Sequence, residues 1–306
     1  PVALGICSAA KIPASRQLMP LAFACGLGGI ITMVGTPPNI IANGALQAAG
    51  MKEQFGFFEY AWIGIPVTLA GMLYMMFLGK YLLPNKQIDA DQEIEQEVEA
   101  NETSASKQIV SAVILLCVVL TMAIGIPGVS LEMAAIIGAI VAVLTGCLTE
   151  KQAYASIDWV TIFLFAGMMP VSNAMDKTGA GKLIAEWAVS LMGGSPTPII
   201  MTSVLFIISC TLTQFMSNTA AAALLAPVGV AISQQLGASP KAVLMAIGVA
   251  ASCAFATPVG TPPCTLVLGP GGYKFMDYVK VGVPLVILCF IVSIIVIPMV
   301  WPFFPG

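Results

Sequence analysis

Long apolar runs cover most of the 306-residue chain, and short polar stretches separate them. Hydrophobic residues make up 58% of the sequence and charged residues 9%, whereas a soluble domain carries about 25% charged residues. A run of about 20 apolar residues is long enough to cross the hydrocarbon core of a bilayer as a helix. We therefore predict an all-α polytopic membrane protein.

The runs form two halves around one hydrophilic stretch, residues 84–107, which holds seven of the fifteen acidic residues. We interpret this stretch as a solvated linker, with a regulatory acidic patch as the alternative. The first half, 1–83, is predicted to contain half a hairpin, a broken helix at 17–50 and a span at 58–83. The second half, 108–306, is predicted to contain spans at 108–127, 131–149 and 158–176, an interfacial helix at 180–192, a re-entrant hairpin at 198–236, a broken helix at 240–270 and a span at 279–302.

Neutral polar residues interrupt two neighbouring apolar runs in the second half. The sequence S-N-T at 217–219 lies in the middle of a run, 198–236, that has no charged residue, and G-T-P-P at 260–263 interrupts the next run. Non-helical backbone at membrane depth is tolerated only where it is buried in protein or lines a wet cavity. Two broken segments of this kind indicate the binding site of a transporter.

The second interruption has a counterpart in the first half. Residues 32–38 read T-M-V-G-T-P-P and residues 257–263 read T-P-V-G-T-P-P, which are identical at six of seven positions. Each pair of prolines removes two amide donors and disfavours helix just before it, so both helices must break there. We predict an inverted repeat with a site between the two copies. A proline kink used only for packing is the alternative.

The first copy of S-N-T would fall, by the same offset, about nine residues before Pro1. The sequence also begins without a methionine or the basic region of a signal peptide. We therefore expect a fragment that starts after the tip of its first hairpin.

The residue types that the sequence lacks, or contains only at scattered positions, restrict the functions that the protein can have. The sequence has no histidine, which is the commonest general base and metal ligand. Its eight cysteines form no C-x-x-C pair, and we interpret them as small packing residues. The basic residues are too few for a nucleic-acid surface. We therefore predict no enzyme activity, no cofactor and no nucleic-acid partner.

The polar groups predicted at membrane depth are hydroxyls, one amide and freed backbone. Oxygens of this kind suit a hard cation such as sodium, and the N-termini of half-helices suit an anion. Either ion alone would be an uncompensated charge at depth, which costs on the order of several kcal/mol. A site that holds both ions is therefore a physical basis for coupled transport.

At these residues the chain resembles the divalent anion:sodium symporter family. The resemblance rests on S-N-T before the second T-P-P, on a T-P-P in each half, on Phe165-Ala166-Gly167 and on A-A-S-C-A-F at 250–255. It covers nearly the whole chain. It implies a multi-pass elevator-type transporter of the cell inner (plasma) membrane, forming a homodimer in the lipid bilayer. Such a transporter couples sodium to the import of a divalent anion, with a C4-dicarboxylate as our first candidate.

The family also implies roles for individual residues. The predicted substrate-binding residues are Ser217, Asn218, Thr219, Thr261, Pro262, Thr36 and Pro37. The predicted sodium ligands are Thr213, Asn218 and the backbone of Met216 and Gly260 for one ion, and Gly35 for the other. Cys264 stands where the first copy has Asn39, so the two loops are not equivalent. The implied topology places 84–107 in the cytoplasm, and eight of the twelve basic residues lie in or beside the cytoplasmic segments.

Two alternatives stay open at this point. One is a metalloid-anion or cation/proton antiporter of the same superfamily, against which stands the lack of an acidic residue in the middle of an apolar run. The other is an inactive truncated membrane fragment.

Overall fold

A computed structural model describes residues 2–10, 12–51, 53–85, 105–124, 129, 131–157 and 197–304, together with isolated residues between 158 and 196. The span predicted at 158–176, the interfacial helix at 180–192 and most of the 84–107 linker lie outside the described residues. All regular structure in the described part is helical, which confirms the predicted all-α class. The chain divides into a small unit within Asp91–Val160 and a large unit within Val2–Ala90 and Thr161–Gly306.

The large unit begins with four helices: α1 (Val2–Ala10), α2 (Ala14–Gly29), α3 (Pro37–Ala48) and α4 (Ala61–Leu82). Residues Met75–Gly79 of α4 form a π-helical turn. The break between α2 and α3 follows from the sequence, because Pro37 takes the first position of a new helix, where its missing amide hydrogen is not needed. A Cβ added at Gly29 would lie 2.9 Å from the carbonyl oxygen of Gly35, so glycine permits the close return of the backbone.

The described residues of the small unit form three helices: α5 (Ala105–Ile124), α6 (Leu131–Leu144) and α7 (Glu150–Ala155). Helices α5 and α6 pack against each other, with Val118 of α5 facing Gly138 of α6. A capping box starts α7: the hydroxyl of Thr149 accepts from the Gln152 amide, and the Gln152 side chain accepts from the Thr149 amide.

Within residues 197–304, the rest of the large unit contains five helices: α8 (Pro198–Leu212), α9 (Asn218–Gln235), α10 (Pro240–Ser252), α11 (Pro262–Leu266) and α12 (Phe275–Val300). Helices α8 and α9 are joined by a short tip at 213–217. Ser217 caps α9, because its hydroxyl accepts a hydrogen bond of 3.2 Å from the amide of Ala220. Pro262 starts α11 in the way that Pro37 starts α3.

Helix α10 is the centre of the large unit. All of its residues except Lys241 are buried, and it contacts α2, α3, α8, α9 and α12. A helix that is apolar on every side is expected in such a position. The C-terminal end of α10 therefore lies inside protein, among elements from both halves of the sequence.

Two helices of the described residues, α4 and α12, are long and apolar enough to cross a membrane by length and composition. They contact each other and expose large apolar side chains, such as Trp62 and Met76 on α4 and Ile295 on α12. Lipid is the environment in which such exposed apolar surface is stable.

Each of the two helix breaks is held by a hydrogen bond from a buried tyrosine, and the two bonds are equivalent. The hydroxyl of Tyr60 donates to the carbonyl oxygen of Asn39 at 2.7 Å, and the hydroxyl of Tyr278 donates to that of Cys264 at 2.7 Å. The two acceptors are the third residues of α3 and α11, each of which begins at the first proline of its T-P-P. Both tyrosines are fully buried.

The two breaks are also approached by equivalent glycines. A Cβ at Gly64 would lie 2.6 Å from the Cα of Ile31, and a Cβ at Gly282 would collide with the carbonyl group of Phe255. Each glycine follows the tyrosine of its half by four residues. One segment, Y-x-x-x-G-x-P, therefore supplies the hydrogen bond and the close contact in both halves.

Candidate functional site

Four polar groups, three of which present an oxygen, meet where the tip of the α8–α9 hairpin reaches the end of α10. They are the hydroxyl of Thr213, the side-chain amide of Asn218 and the carbonyl groups of Ala251 and Gly260. The Thr213 hydroxyl oxygen lies 2.7 Å from Asn218 Oδ1 and 2.7 Å from the Ala251 oxygen. The same end of the Asn218 amide lies 3.0 Å from the Gly260 oxygen and 3.1 Å from the Ala251 oxygen. We call these four groups the oxygen cluster.

Local sequence explains why each group faces the cluster. Thr213 directly follows the last residue of α8, and Asn218 is the first residue of α9. The two side chains therefore meet across the hairpin tip. Ala251 lies in the last turn of α10, where carbonyl groups have no helical donor. A Cβ at Gly260 would lie 2.6 Å from the Cβ of Ala254 and 2.9 Å from the Thr213 carbonyl oxygen, so a side chain there would push the loop away.

The oxygen cluster has the chemistry of a site for a small monovalent cation. The Thr213 hydroxyl donates to the Ala251 carbonyl oxygen, and the Asn218 amide, in the orientation that its surroundings satisfy, donates to the Gly260 oxygen and to the Thr213 hydroxyl. Thr213 and Ala251 are fully inaccessible and Gly260 is buried, whereas Asn218 is half-buried. Oxygen ligands are those that hard cations prefer. None of the four groups is charged, which suits a single positive charge.

The first half of the chain reaches the same end of α10 through Thr36. Its hydroxyl oxygen lies 3.3 Å from the hydroxyl oxygen of Ser252, the residue after Ala251. The Ser252 hydroxyl also donates to the carbonyl oxygen of Gly248 at 3.0 Å. The last turn of α10 therefore touches the first T-P-P segment on one side and the oxygen cluster on the other.

The other predicted site residues lie around these two contacts. Ser217 and Pro262 are exposed, whereas Thr219 and Thr261 are buried. Thr36 and Thr261 precede α3 and α11 in extended conformation, and neither hydroxyl caps its own helix. The remaining predicted residues are Gly35 and Pro37, beside Thr36, and Met216, in the hairpin tip. The contacts described for the cluster do not include the Met216 carbonyl group.

Several residues of the site were not predicted. The carbonyl group of Ala251 carries no side-chain signal, and Ser252 enters the sequence analysis only within the A-A-S-C-A-F motif. Gln214 was also missed: its amide donates to the carbonyl groups of Cys210 and Cys253 at 2.9 and 3.0 Å and accepts from Ala256 at 3.0 Å. A side chain with this bonding capacity inside an apolar run was the available signal.

A helical fold with exposed apolar helices and buried neutral polar groups at helix breaks is typical of a membrane transport protein. A family model described as citrate transporter matches residues 1–228 and 121–304. The chain therefore belongs to the citrate transporter family, and the predicted relationship to anion transporters is confirmed.

Curated relatives support this assignment. The chain is 33% identical over 293 residues to an uncharacterized transporter of Haemophilus influenzae, which covers 90% of the chain and 60% of that protein. It is 45% identical over 157 residues to the uncharacterized transporter YfbS of Escherichia coli, covering 51% of the chain and 26% of that protein. It is 23% identical over 303 residues to the sodium-dependent dicarboxylate transporter SdcS of Staphylococcus saprophyticus, covering 92% of the chain and 57% of that protein. The chain thus spans less than two thirds of the length of each.

Proposed function

We propose that the protein is a sodium-coupled symporter that imports a divalent anion, with a C4-dicarboxylate as the first candidate. The observation that carries this proposal is the oxygen cluster of Thr213, Asn218, Ala251 and Gly260. In it the neutral oxygens of Thr213, Ala251 and Gly260 surround the Asn218 side-chain amide, whose own oxygen would be the fourth ligand of a sodium ion. The sodium dependence and the dicarboxylate substrate in the name of the staphylococcal relative support the same conclusion.

The anion site would lie beside the cluster, around the start of α9. Ser217 and Thr219 flank Asn218 there, and the first amides of a helix favour negative charge. Thr261 and Pro262 follow Gly260 directly and would face the same anion, and Thr36 and Pro37 would approach it from the first half. None of these residues is charged. Sodium in the cluster would therefore supply positive charge that the anion needs at membrane depth.

The contacts that recur in both halves support an inverted repeat. The bonds Tyr60–Asn39 and Tyr278–Cys264 join corresponding residues, and α3 packs on α10 while α2 packs on α11. The first sodium ion would bind in the first copy, at Gly35. This residue occupies the position that Gly260 has in the second copy. We also propose that the protein is a multi-pass transporter of the inner membrane and acts as a homodimer.

The elevator mechanism is also part of the proposal. Every predicted site residue lies in the large unit, which is compact by itself. A compact body that contains the whole site can carry both ions together without taking the site apart. Coupled movement of this kind requires that a site loaded with only one of the two ions be disfavoured, which the burial of an uncompensated charge provides, whereas the uncharged empty site can return.

The test is uptake by the protein at its full natural length in proteoliposomes. Labelled succinate, citrate and sulfate are supplied outside, with an inward sodium gradient or with potassium replacing sodium. We expect sodium-dependent uptake of succinate, abolished by Asn218→Ala and retained by Gln234→Ala, which changes an exposed residue at the far end of the same helix. Uptake of all three anions that ignores sodium but follows a proton gradient would contradict the proposal and favour an antiporter.

A further inference from the structure

A groove runs between α8 and α12, in the large unit. It has a volume of about 510 Å³, and its walls are Phe206 to Phe215 on α8 and the hairpin tip and Phe275 to Phe290 on α12. Ligand sites in proteins have volumes of about 300–1,000 Å³. The wall on α12 is roughly 22 Å long, at a rise of about 1.5 Å per residue. We call this elongated cavity the α8–α12 groove.

The polar side chains that line the groove already have hydrogen-bond partners. The amide of Gln214 donates to two backbone carbonyl groups, at 2.9 and 3.0 Å. The hydroxyls of Thr211 and Thr257 each donate to a carbonyl group, at 2.8 and 2.7 Å, and so does the thiol of Cys210, at 3.6 Å. A polar ligand would lose its hydration here without gaining a donor. The occupant that the α8–α12 groove favours is therefore apolar.

One end of the groove carries positive charge. Lys280 is exposed and lies three residues before Val283 and seven before Ile287, so it is on the side of α12 that lines the groove. Helical side chains tilt toward the N-terminus of their helix, which directs Lys280 toward the start of α12. Lys274 directly precedes that start, and the Asp277 carboxylate accepts from its backbone amide at 2.8 Å. Two lysines and one carboxylate leave this end positive.

The start of α12 lies at the same end of the large unit as the last turn of α4. The Tyr74 hydroxyl donates to the Val281 carbonyl oxygen at 2.8 Å, and residues Lys80–Leu82 contact α12. Lys80 therefore adds a third positive charge to this end. Lysines at the ends of spans are typical of the cytoplasmic side, whose leaflet contains the anionic lipids. An apolar groove with a basic end at that surface has the charge and the polarity that complement such a lipid.

We propose that the α8–α12 groove binds an anionic phospholipid, with one acyl chain in the groove and the phosphate group at Lys280. The site is separate from the oxygen cluster and does not depend on which ion is transported. Gln214 and Thr257 line the groove, and their hydrogen bonds join the hairpin tip to residues 253–257. An acyl chain excludes water from these bonds and thereby strengthens them. The bound lipid therefore stabilises the hairpin.

Photolabelling tests whether an acyl chain enters the groove. The full-length protein in detergent is incubated with phosphatidylglycerol that has a photoreactive group on one acyl chain, and the labelled residues are identified by mass spectrometry. We expect labels on the lining residues of α8 and α12. Val283→Trp fills the groove and should reduce them several-fold, whereas Ile295→Trp, at an exposed position of α12 outside the groove, should not. Lining residues that stay unlabelled in the wild type, or are labelled equally in Val283→Trp, overturn the inference.

A second measurement tests the head group and needs no change inside the groove. Native mass spectrometry compares the retention of phosphatidylglycerol with that of phosphatidylcholine with the same acyl chains. We expect Lys280→Gln to lower the preference for phosphatidylglycerol about fivefold, the contribution of one lysine near an anionic membrane surface. Lys280→Arg and Lys107→Gln, which changes an exposed lysine of the small unit, should keep it. Equal retention of the two lipids by the wild type, or an unchanged preference in Lys280→Gln, overturns the proposed anionic ligand.

Discussion

The hydroxyl of Tyr60 lies 2.7 Å from the carbonyl oxygen of Asn39, in the first turn of the half-helix that Thr36 precedes. Tyr278 makes the same bond, of equal length, to Cys264 after the second T-P-P. Each tyrosine therefore fixes the start of a half-helix from a neighbouring span. The position of the site threonines depends on these two bonds, although neither tyrosine was predicted as part of the site.

Removing either hydroxyl is expected to loosen the corresponding half-helix. Tyr60→Phe and Tyr278→Phe each lose one buried hydrogen bond, which contributes about 1 kcal/mol to stability. We expect both variants to unfold at lower temperature and to bind succinate several-fold more weakly. Tyr154→Phe is the control, since that side chain is 57% exposed. Variants with wild-type affinity and stability would show that these bonds do not position the site.

The hydroxyl of Thr213 is the simplest oxygen of the cluster to remove. Thr213→Val keeps the size of the side chain but loses one cation ligand, so the sodium concentration for half-maximal uptake should rise about tenfold, equivalent to about 1.4 kcal/mol. Thr211→Val, two residues away, is the matched control. Its exposed hydroxyl bonds only to the Ile207 carbonyl oxygen at 2.8 Å. Equal sodium dependence of the two variants would remove Thr213 from the site.

The close approach of Gly260 to the hairpin can be tested by adding a side chain at this position. In Gly260→Ala the new Cβ would meet the Ala254 Cβ at 2.6 Å and the Thr213 carbonyl oxygen at 2.9 Å. The loop must then move, and its carbonyl group leaves the cluster. We expect loss of sodium-dependent uptake in a protein that still folds. Gly269→Ala, where a Cβ meets nothing within 4 Å, should transport normally. Full activity in Gly260→Ala would contradict the assigned ligand.

A charged contact outside the spans predicts a pH dependence of stability. Burial raises the pKa of Glu59, but hydrogen bonds from Trp301 and the Gly56 amide, together with Lys241 at 3.1 Å, lower that pKa below its ordinary value. A carboxyl group with a lowered folded pKa stabilises the protein above its unfolded pKa. This stability is lost as the pH falls through the folded pKa.

The comparison of the wild type with Glu59→Gln tests this dependence. The wild type should be the more stable of the two near neutral pH, and the difference should disappear as the pH falls below the ordinary glutamate pKa and through the lowered folded pKa of Glu59. Glu53→Gln, which changes an exposed carboxyl group, should show no such trend. A stability difference that is the same at both pH values would mean that ionisation of Glu59 contributes nothing.

The helix breaks were predictable because proline acts locally. Pro37 and Pro262 determine where α3 and α11 begin, whatever surrounds them. The side chains of Thr213 and Asn218 could likewise be placed at the hairpin tip from their position between two apolar runs. Polar residues in such a setting have few other uses at membrane depth.

Other parts of the site could not be predicted, for a physical reason. The carbonyl group of Ala251 acts through the backbone, so its position depends on where α10 ends and not on its side chain. The contact between Thr36 and Ser252 joins residues 216 positions apart and depends on how the two halves pack. The repeated Y-x-x-x-G-x-P segment is present in the sequence, but its role in holding the helix breaks is evident only from the hydrogen bonds of the two tyrosines. The π-helical turn in α4 has no comparable signal.

The central claim is that sodium and the anion bind as a pair, and the affinity for succinate tests it most directly. The dissociation constant of the purified full-length protein is measured by calorimetry in sodium chloride and in choline chloride of equal concentration. We expect succinate to bind at least about tenfold more tightly in sodium, within the usual range of coupling between sites. The same dissociation constant in both salts would contradict the account.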